Sequence, residues 1–179
     1  EKPSLAMNIV KALNVREKHD GYFENDSYVV SFAYGHLFQL KNISDYTGEK
    51  TTWESMPLPF IPEKFSFKLK EEPGVKKQFE VLKKLIERAD ISEIVHCGDA
   101  DREGQVIIDL IILASRTGKA VKRLWLPEQT EDTIRSEIKN MKNNEEYKNF
   151  YTQNDIEANI KAINEFNRAF IYIEFETYK

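Results

Sequence analysis

An α/β fold with a mostly parallel sheet flanked by helices is predicted by three features of this 179-residue chain. Residues 93–126 pass from an apolar strand to a helix and back to an apolar strand, the pattern of a βαβ unit whose strands run parallel. Two earlier stretches, 3–13 and 75–89, place apolar residues at helical spacing on one face only. Where the first strand of the βαβ unit gives way to its helix, five residues hold three carboxylates, Asp99, Asp101 and Glu103. Function in such sheets gathers at the carboxyl ends of the strands.

The elements follow in order. Pro3 suits the first turn of a helix, and Leu5, Ile9, Ala12 and Leu13 share a face, so 3–13 is predicted helical. Tyr22-Phe23 and the run from Tyr28 to Ala33 are split by Glu24-Asn25-Asp26-Ser27, the composition of a hairpin turn, and Gly35-His36-Leu37 reads as a strand exit. Residues 41–74 hold most of the prolines and little periodicity, which predicts an irregular excursion with short extended pieces such as Lys64 to Leu69; an excursion of that length inside a domain is commonly functional. Val75, Phe79, Leu82, Leu85 and Ile86 make the apolar face of the next helix, with Lys76, Lys77, Lys83 and Lys84 on a solvated face. Strand 93–97, the acidic turn, helix 103–115 and strand 121–126 come next. Thr130 is an N-cap candidate followed by Glu131 and Asp132, which the helix dipole favours. A last helical pattern aligns Ile156, Ile160, Ile163, Phe166, Phe170 and Ile173.

Composition narrows the function. At 41% hydrophobic and 31% charged, the chain can bury the core of one domain with the start of another. No apolar run approaches the roughly 18 residues of a membrane span, and no leader pattern is present, so a cytoplasmic protein is expected. Cys97, the single cysteine, excludes an internal disulfide and a multi-cysteine zinc site; a small buried apolar role is expected for it. A formal charge of −4 argues against a blanket polyanion-binding surface and leaves room for a local basic strip. The start at Glu1 without methionine, and an end in mid-pattern, suggest a fragment.

Three carboxylates at alternate positions aim at a common point if the backbone stays extended there, and like charges so close need a cation among them. An all-oxygen donor set selects hard divalent ions, Mg²⁺ or Mn²⁺ before zinc, which points to phosphoryl transfer. Glu103, in the first helical turn, is held ionised by the dipole and suits a ligand better than an acid. Caps are the plain alternative for acidic residues at such a turn. His36 and His96 are structural histidines or ligands, and Arg102 and Arg123 are surface ion-pair partners or phosphate contacts.

Glu1-Lys2-Pro3-Ser4, Gly35-His36-Leu37, Leu58-Pro59-Phe60-Ile61-Pro62, the run from Val95 to Gln105, and Arg123-Leu124-Trp125-Leu126 occur in that order. At those intervals they resemble the Toprim domain of type IA DNA topoisomerases. Gln105, with the Glu-Lys-Pro-Ser start, is closer to the topoisomerase III branch. The resemblance covers residues 1 to about 140 and implies a Rossmann-like sheet in residues 1–143, with 144–179 beginning the next, helical domain and the family's first strand lying upstream of Glu1. It implies an ATP-independent isomerase that passes one DNA strand through a transient break in another. Glu1 would be the general acid and base at the scissile phosphodiester, Lys2 would stabilise phosphate charge, and Asp99, Asp101 and Glu103 would hold Mg²⁺. Arg102 would contact phosphate, and so would Arg168, because Phe166-Asn167-Arg168 resembles a family motif, although Asn159 and Ile163 replace its usual Asp and Gly. The family's nucleophilic tyrosine sits in a Tyr-x-Arg-type motif that these 179 residues lack, so the chain alone should not cleave DNA. A Toprim domain of a primase-like polymerase or nuclease is the alternative; the Gly35-His36-Leu37 and Leu58-Pro59 segments favour the topoisomerase. A receiver-type regulatory domain ranks last, because Leu126-Pro127-Glu128-Gln129 does not supply its lysine.

Overall fold

The computed structural model describes residues 3–50, 52, 55 and 60–150. They fall into two units, one formed by the chain up to Leu40 together with Phe67–Tyr147, the other containing Lys41–Ser66. Among the described residues no helix is long and apolar enough to cross a membrane.

The first unit begins with α1, Pro3–Ala12. It ends where Asn14 turns left-handed (φ 55°), a conformation asparagine tolerates, and the amides of Leu13 and Val15 close onto Ile9 and Val10. A three-stranded antiparallel sheet follows: β1 (Glu17–His19), β2 (Tyr22–Glu24) and β3 (Val29–Ser31). The β2–β3 hairpin was expected, and its turn is an Asx turn in which Asn25 Oδ1 accepts from the amides of Ser27 and Tyr28. Strand β1 was not expected. Its signal is Asp20-Gly21, a two-residue turn that pairs His19 with Tyr22 and puts Gly21 at φ +89°, where only glycine is unstrained.

Strand β4 (Phe38–Leu40) pairs antiparallel with β5 (Phe67–Leu69), so the long excursion leaves and returns through one ladder. The second unit, between those strands, is more ordered than its proline content suggested. Its α2 (Ile43–Thr47) has a full capping box between Asn42 and Asp45 and closes at Gly48 (φ +74°). The Tyr46 hydroxyl accepts from the Ser66 amide at 2.8 Å, and the Tyr46 and Phe60 rings lie 5.7 Å apart. Short helices carry little periodicity, which is why this one was not legible.

Back in the first unit, α3 (Pro73–Glu87) precedes the predicted βαβ: β6 (Glu93–His96), α4 (Arg102–Ser115) and β7 (Ala120–Arg123), with β6 and β7 parallel in the register Glu93↔Ala120 to His96↔Arg123. Helix α5 (Glu131–Glu137) starts at the expected cap, Thr130 accepting from the Thr133 amide, and β8 (Lys142–Asn143) adds antiparallel to β7 before a 3₁₀ turn over Asn144–Phe150. The helical pattern of 156–173 lies outside the described residues.

Two apolar clusters hold this unit. One joins α1 (Leu5, Ile9), β3 (Val30), the exit of β7 (Leu124, Leu126) and α5, whose Ile134 is fully buried. The other joins α3 (Val75, Phe79) and α4 (Ile107, Ile111) to Ala33 and Leu37. Buried Gln78 of α3 ties these layers together through polar bonds, donating to the carbonyls of Gly21 and Phe32. It meets a need of the sheet edge that apolar packing cannot. An apolar cavity of about 340 Å³ runs between β3 and β6, lined by Ile9, Val30, Phe32, Ile94 and Cys97 among others.

Candidate metal centre at the acidic turn

Strand β6 ends at His96 and α4 begins at Arg102, so Cys97 to Asp101 make the turn. Two glycines let strand end and helix start touch. A Cβ on Gly98 would stand 2.2 Å from the Gly104 carbonyl oxygen, and one on Gly104 would stand 2.5 Å from the Asp99 amide nitrogen. Asp101 is the N-cap, extended at φ −143°, and its Oδ1 accepts the Gly104 amide at 2.7 Å.

The turn is hung on Arg123, the last residue of β7. This side chain is 1% exposed, and its Nη1 donates to the carbonyls of His96, Gly98 and Leu124 while Nη2 donates to that of Asp99 at 2.8 Å. Its Nε donates to Gln105 Oε1 at 2.7 Å, and its guanidinium lies 4.7 Å from the Trp125 ring. Burial lowers the affinity of this guanidinium for its proton, yet arginine keeps its charge in proteins. Arg123 is thus neither a surface ion-pair partner nor a phosphate contact, and a substitution by lysine could not reproduce its fork. Fully buried Gln105 passes the network on, donating to Asp109 and to Asn144.

His96 is structural: it is fully buried, accepts the Gly98 amide at Nδ1 (3.3 Å) and contacts the Gln105 carbonyl through Nε2 (3.2 Å). Those partners require the neutral tautomer with its proton on Nε2. Burial, followed by the Arg123 charge, pulls its pKa down to about 4. Cys97 packs against the first core cluster, and burial pushes its thiol up to about 11, consistent with an inert apolar role.

The carboxylates themselves are arranged differently from an extended fan, because the helix has already started at Arg102. Asp99 Oδ1 accepts from Gln129 Nε2 at 3.0 Å, Asp101 caps, and Glu103 Oε1 lies 3.1 Å from His36 Nε2 on the solvent side. The ligand atoms of all three do not come within 4.8 Å of one another. Each is a carboxylate, the donor type that hard divalent cations take, and each uses one oxygen in these bonds. His36 and Gln129, neither chosen as a site residue from sequence, therefore orient two of the three. Arg102 is exposed beside them, with no hydrogen bond or ion pair among the described residues. Glu1, Lys2 and Arg168 lie outside the described residues.

The acidic turn follows a parallel strand of an α/β fold, and comparison with known proteins gives the family. The Toprim domain profile matches residues 1–128, and the chain belongs to the Toprim family. It is 36% identical over 151 residues to DNA topoisomerase 3 of Bacillus licheniformis, 34% to that of Bacillus subtilis and 35% to that of Bacillus anthracis. Each alignment covers 84% of this chain and 20% of the relative, so the chain spans about a fifth of the length of the curated relatives it matches.

Replacing Arg123 by methionine should cost on the order of 3 kcal/mol in urea unfolding, because it leaves several buried carbonyls without a donor. A loss below about 1 kcal/mol would show that the turn is held by other means. The depressed His96 pKa also sets a pH dependence. Between its ordinary 6.5 and about 4, the unfolded chain takes up a proton that the folded chain refuses. The stability it contributes is complete above 6.5 and declines as pH falls through that window; His96→Gln should flatten this slope in denaturation curves recorded across it.

Proposed function

We propose that the chain is the metal-binding Toprim portion of a type IA DNA topoisomerase of the topoisomerase III kind, which breaks, passes and rejoins single DNA strands in the cytoplasm without ATP. The observation that carries this reading is the placing of Asp99, Asp101 and Glu103 at the carboxyl end of β6, in a Toprim-family chain whose curated relatives are named DNA topoisomerase 3. Asp99, Asp101 and Glu103 hold Mg²⁺, which supplies charge neutralisation at the phosphodiester. Glu1 donates and accepts the proton at the scissile phosphate, and Lys2 stabilises the phosphate charge. Arg102 and Arg168 grip the DNA backbone. Residues 1–143 form this domain, 144–179 open the next, and the nucleophilic tyrosine belongs to a later domain, so this chain alone is inactive.

Asp101→Asn is an informative substitution, because asparagine caps a helix about as well as aspartate. In the full-length enzyme it should abolish Mg²⁺-dependent relaxation of negatively supercoiled DNA while the thermal midpoint stays within a few degrees. Relaxation that persists both in the variant and in excess chelator would remove the metal role.

On this reading the family's first strand, expected ahead of Glu1, would lie between β3 and β6, and two observations support that. β3 and β6 each end their sheets, and the apolar cavity separates them. An inserted strand would bond to these edges, which pair with no further strand among the described residues, and fill the space. Supplying the first strand of a related Toprim domain ahead of Glu1 should slow amide exchange along β3 and β6 and raise the thermal midpoint; unchanged exchange on both strands would rule this placement out.

A further inference from the structure

On the β1–β2 hairpin, remote in sequence from the acidic turn, Glu17 pairs directly with Glu24 across the ladder, and His19 pairs with Tyr22. The two-residue periodicity of a strand puts Glu17, His19, Tyr22 and Glu24 on one face. Two glutamates in direct cross-strand register repel one another, which destabilises the pairing unless positive charge stands nearby. His19 Nε2 fills part of that position, 3.0 Å from Glu24 Oε1 and 3.3 Å from Glu17 Oε1. That nitrogen is nevertheless shielded from solvent and has no hydrogen-bond partner among the described residues, because neither oxygen meets it in bonding geometry. It is the one buried side-chain polar atom so left among them.

We infer that Glu17, His19 and Glu24 form a second metal site, selective for Zn²⁺ or a similar borderline divalent ion, that staples β1 to β2. One ligand atom from each lies within 4.8 Å of the others, and theirs is the sole His, Cys, Asp or Glu group of that kind among the described residues. The two distances from Nε2 match the roughly 3.3 Å edge of a tetrahedron with metal–ligand bonds near 2.0–2.1 Å. One imidazole and two carboxylates suit zinc, whereas Mg²⁺ takes oxygen alone. Three protein ligands leave the fourth position to water.

Neighbouring groups hold the ligands in place, as outer partners do in metal sites. The His19 ring stacks on Tyr22 at 4.5 Å with planes 8° apart, fixing its orientation. Arg88 Nη1 takes Glu24 Oε2 at 2.7 Å, which leaves Oε1 turned to the site, and Asp90 takes the other side of the guanidinium at 2.6 Å. Glu24 is accordingly half-buried and Glu17 more exposed, as expected of a site with an entry path from solvent. A three-residue edge strand is marginal by itself, and a metal bridging it to β2 would stabilise the small sheet whose other edge, β3, borders the apolar cavity.

The test is titration of the metal-free chain with Zn²⁺ alone, by calorimetry in a non-chelating buffer, on the wild type, His19→Gln and Glu17→Gln. The expected result is one equivalent bound, with affinity falling at least tenfold in each variant while far-UV circular dichroism is unchanged, and a Zn²⁺-dependent rise in thermal midpoint that both variants lose. Asp101→Asn should leave the high-affinity equivalent intact. Absence of saturable binding, or binding that survives His19→Gln, overturns the proposal in favour of a histidine held between two glutamates by side-chain contacts alone. Should His19→Gln fail to fold, the His19 ring resonances of the wild type decide: they shift on one equivalent of Zn²⁺ if the site is real and stay in place if it is not.

Discussion

The buried guanidinium of Arg123 is the interaction on which the acidic turn depends. Strand β6 stops where its carbonyls can no longer find a neighbouring strand, and the chain must reverse into α4 within five residues, Cys97 to Asp101. Unpaired carbonyls at such a break would be costly, since a buried acceptor without a donor loses its hydration for nothing. Arg123, arriving from the adjacent parallel strand, supplies several donors in one plane and meets four carbonyl oxygens, those of His96, Gly98, Asp99 and Leu124. Gln105 links it to the carboxylate of Asp109. Burial, and after it this same cation, depresses the proton affinity of His96, so a neutral imidazole and a charged arginine share one interior.

The polar layer beneath the turn leaves the carboxylates above it comparatively free. Asp101 is committed to the cap through one oxygen only, while Asp99 and Glu103 are aimed by Gln129 and His36, residues from quite different parts of the chain. The three carboxylates are thus carried on a backbone fixed by Arg123 and the two glycines, with side chains aimed by partners outside the turn.

Much of this was legible in the sequence, for identifiable reasons. The βαβ unit announced itself because the apolar runs Ile94-Val95 and Leu124-Trp125-Leu126 bracket the apolar helix α4, and the acidic turn because carboxylates are rare at such density after a buried strand. The Thr130 cap and the β2–β3 hairpin carried local signals of the ordinary kind. Arg123 was misjudged because an arginine in sequence looks like surface; only the register His96↔Arg123 places it against the turn carbonyls. Asn144 and Gln129 had no local signal, since their roles arise from contacts 39 and 30 residues away. Strand β1 was missed although Asp20-Gly21 marks its turn, because Glu-Lys-His lacks the apolar residues by which strands are recognised.

The mutual contact of Gly98 and Gly104 has a mechanical meaning. With no side chain on either, the first turn of α4 rests directly on the backbone at the end of β6, and the five residues joining them have no slack. The helix can tilt about that point but cannot draw away from it. A tilt of α4 that kept this contact would be felt first at Asp99 and Asp101, which lie between the two glycines, as in a lever with its fulcrum beside the load.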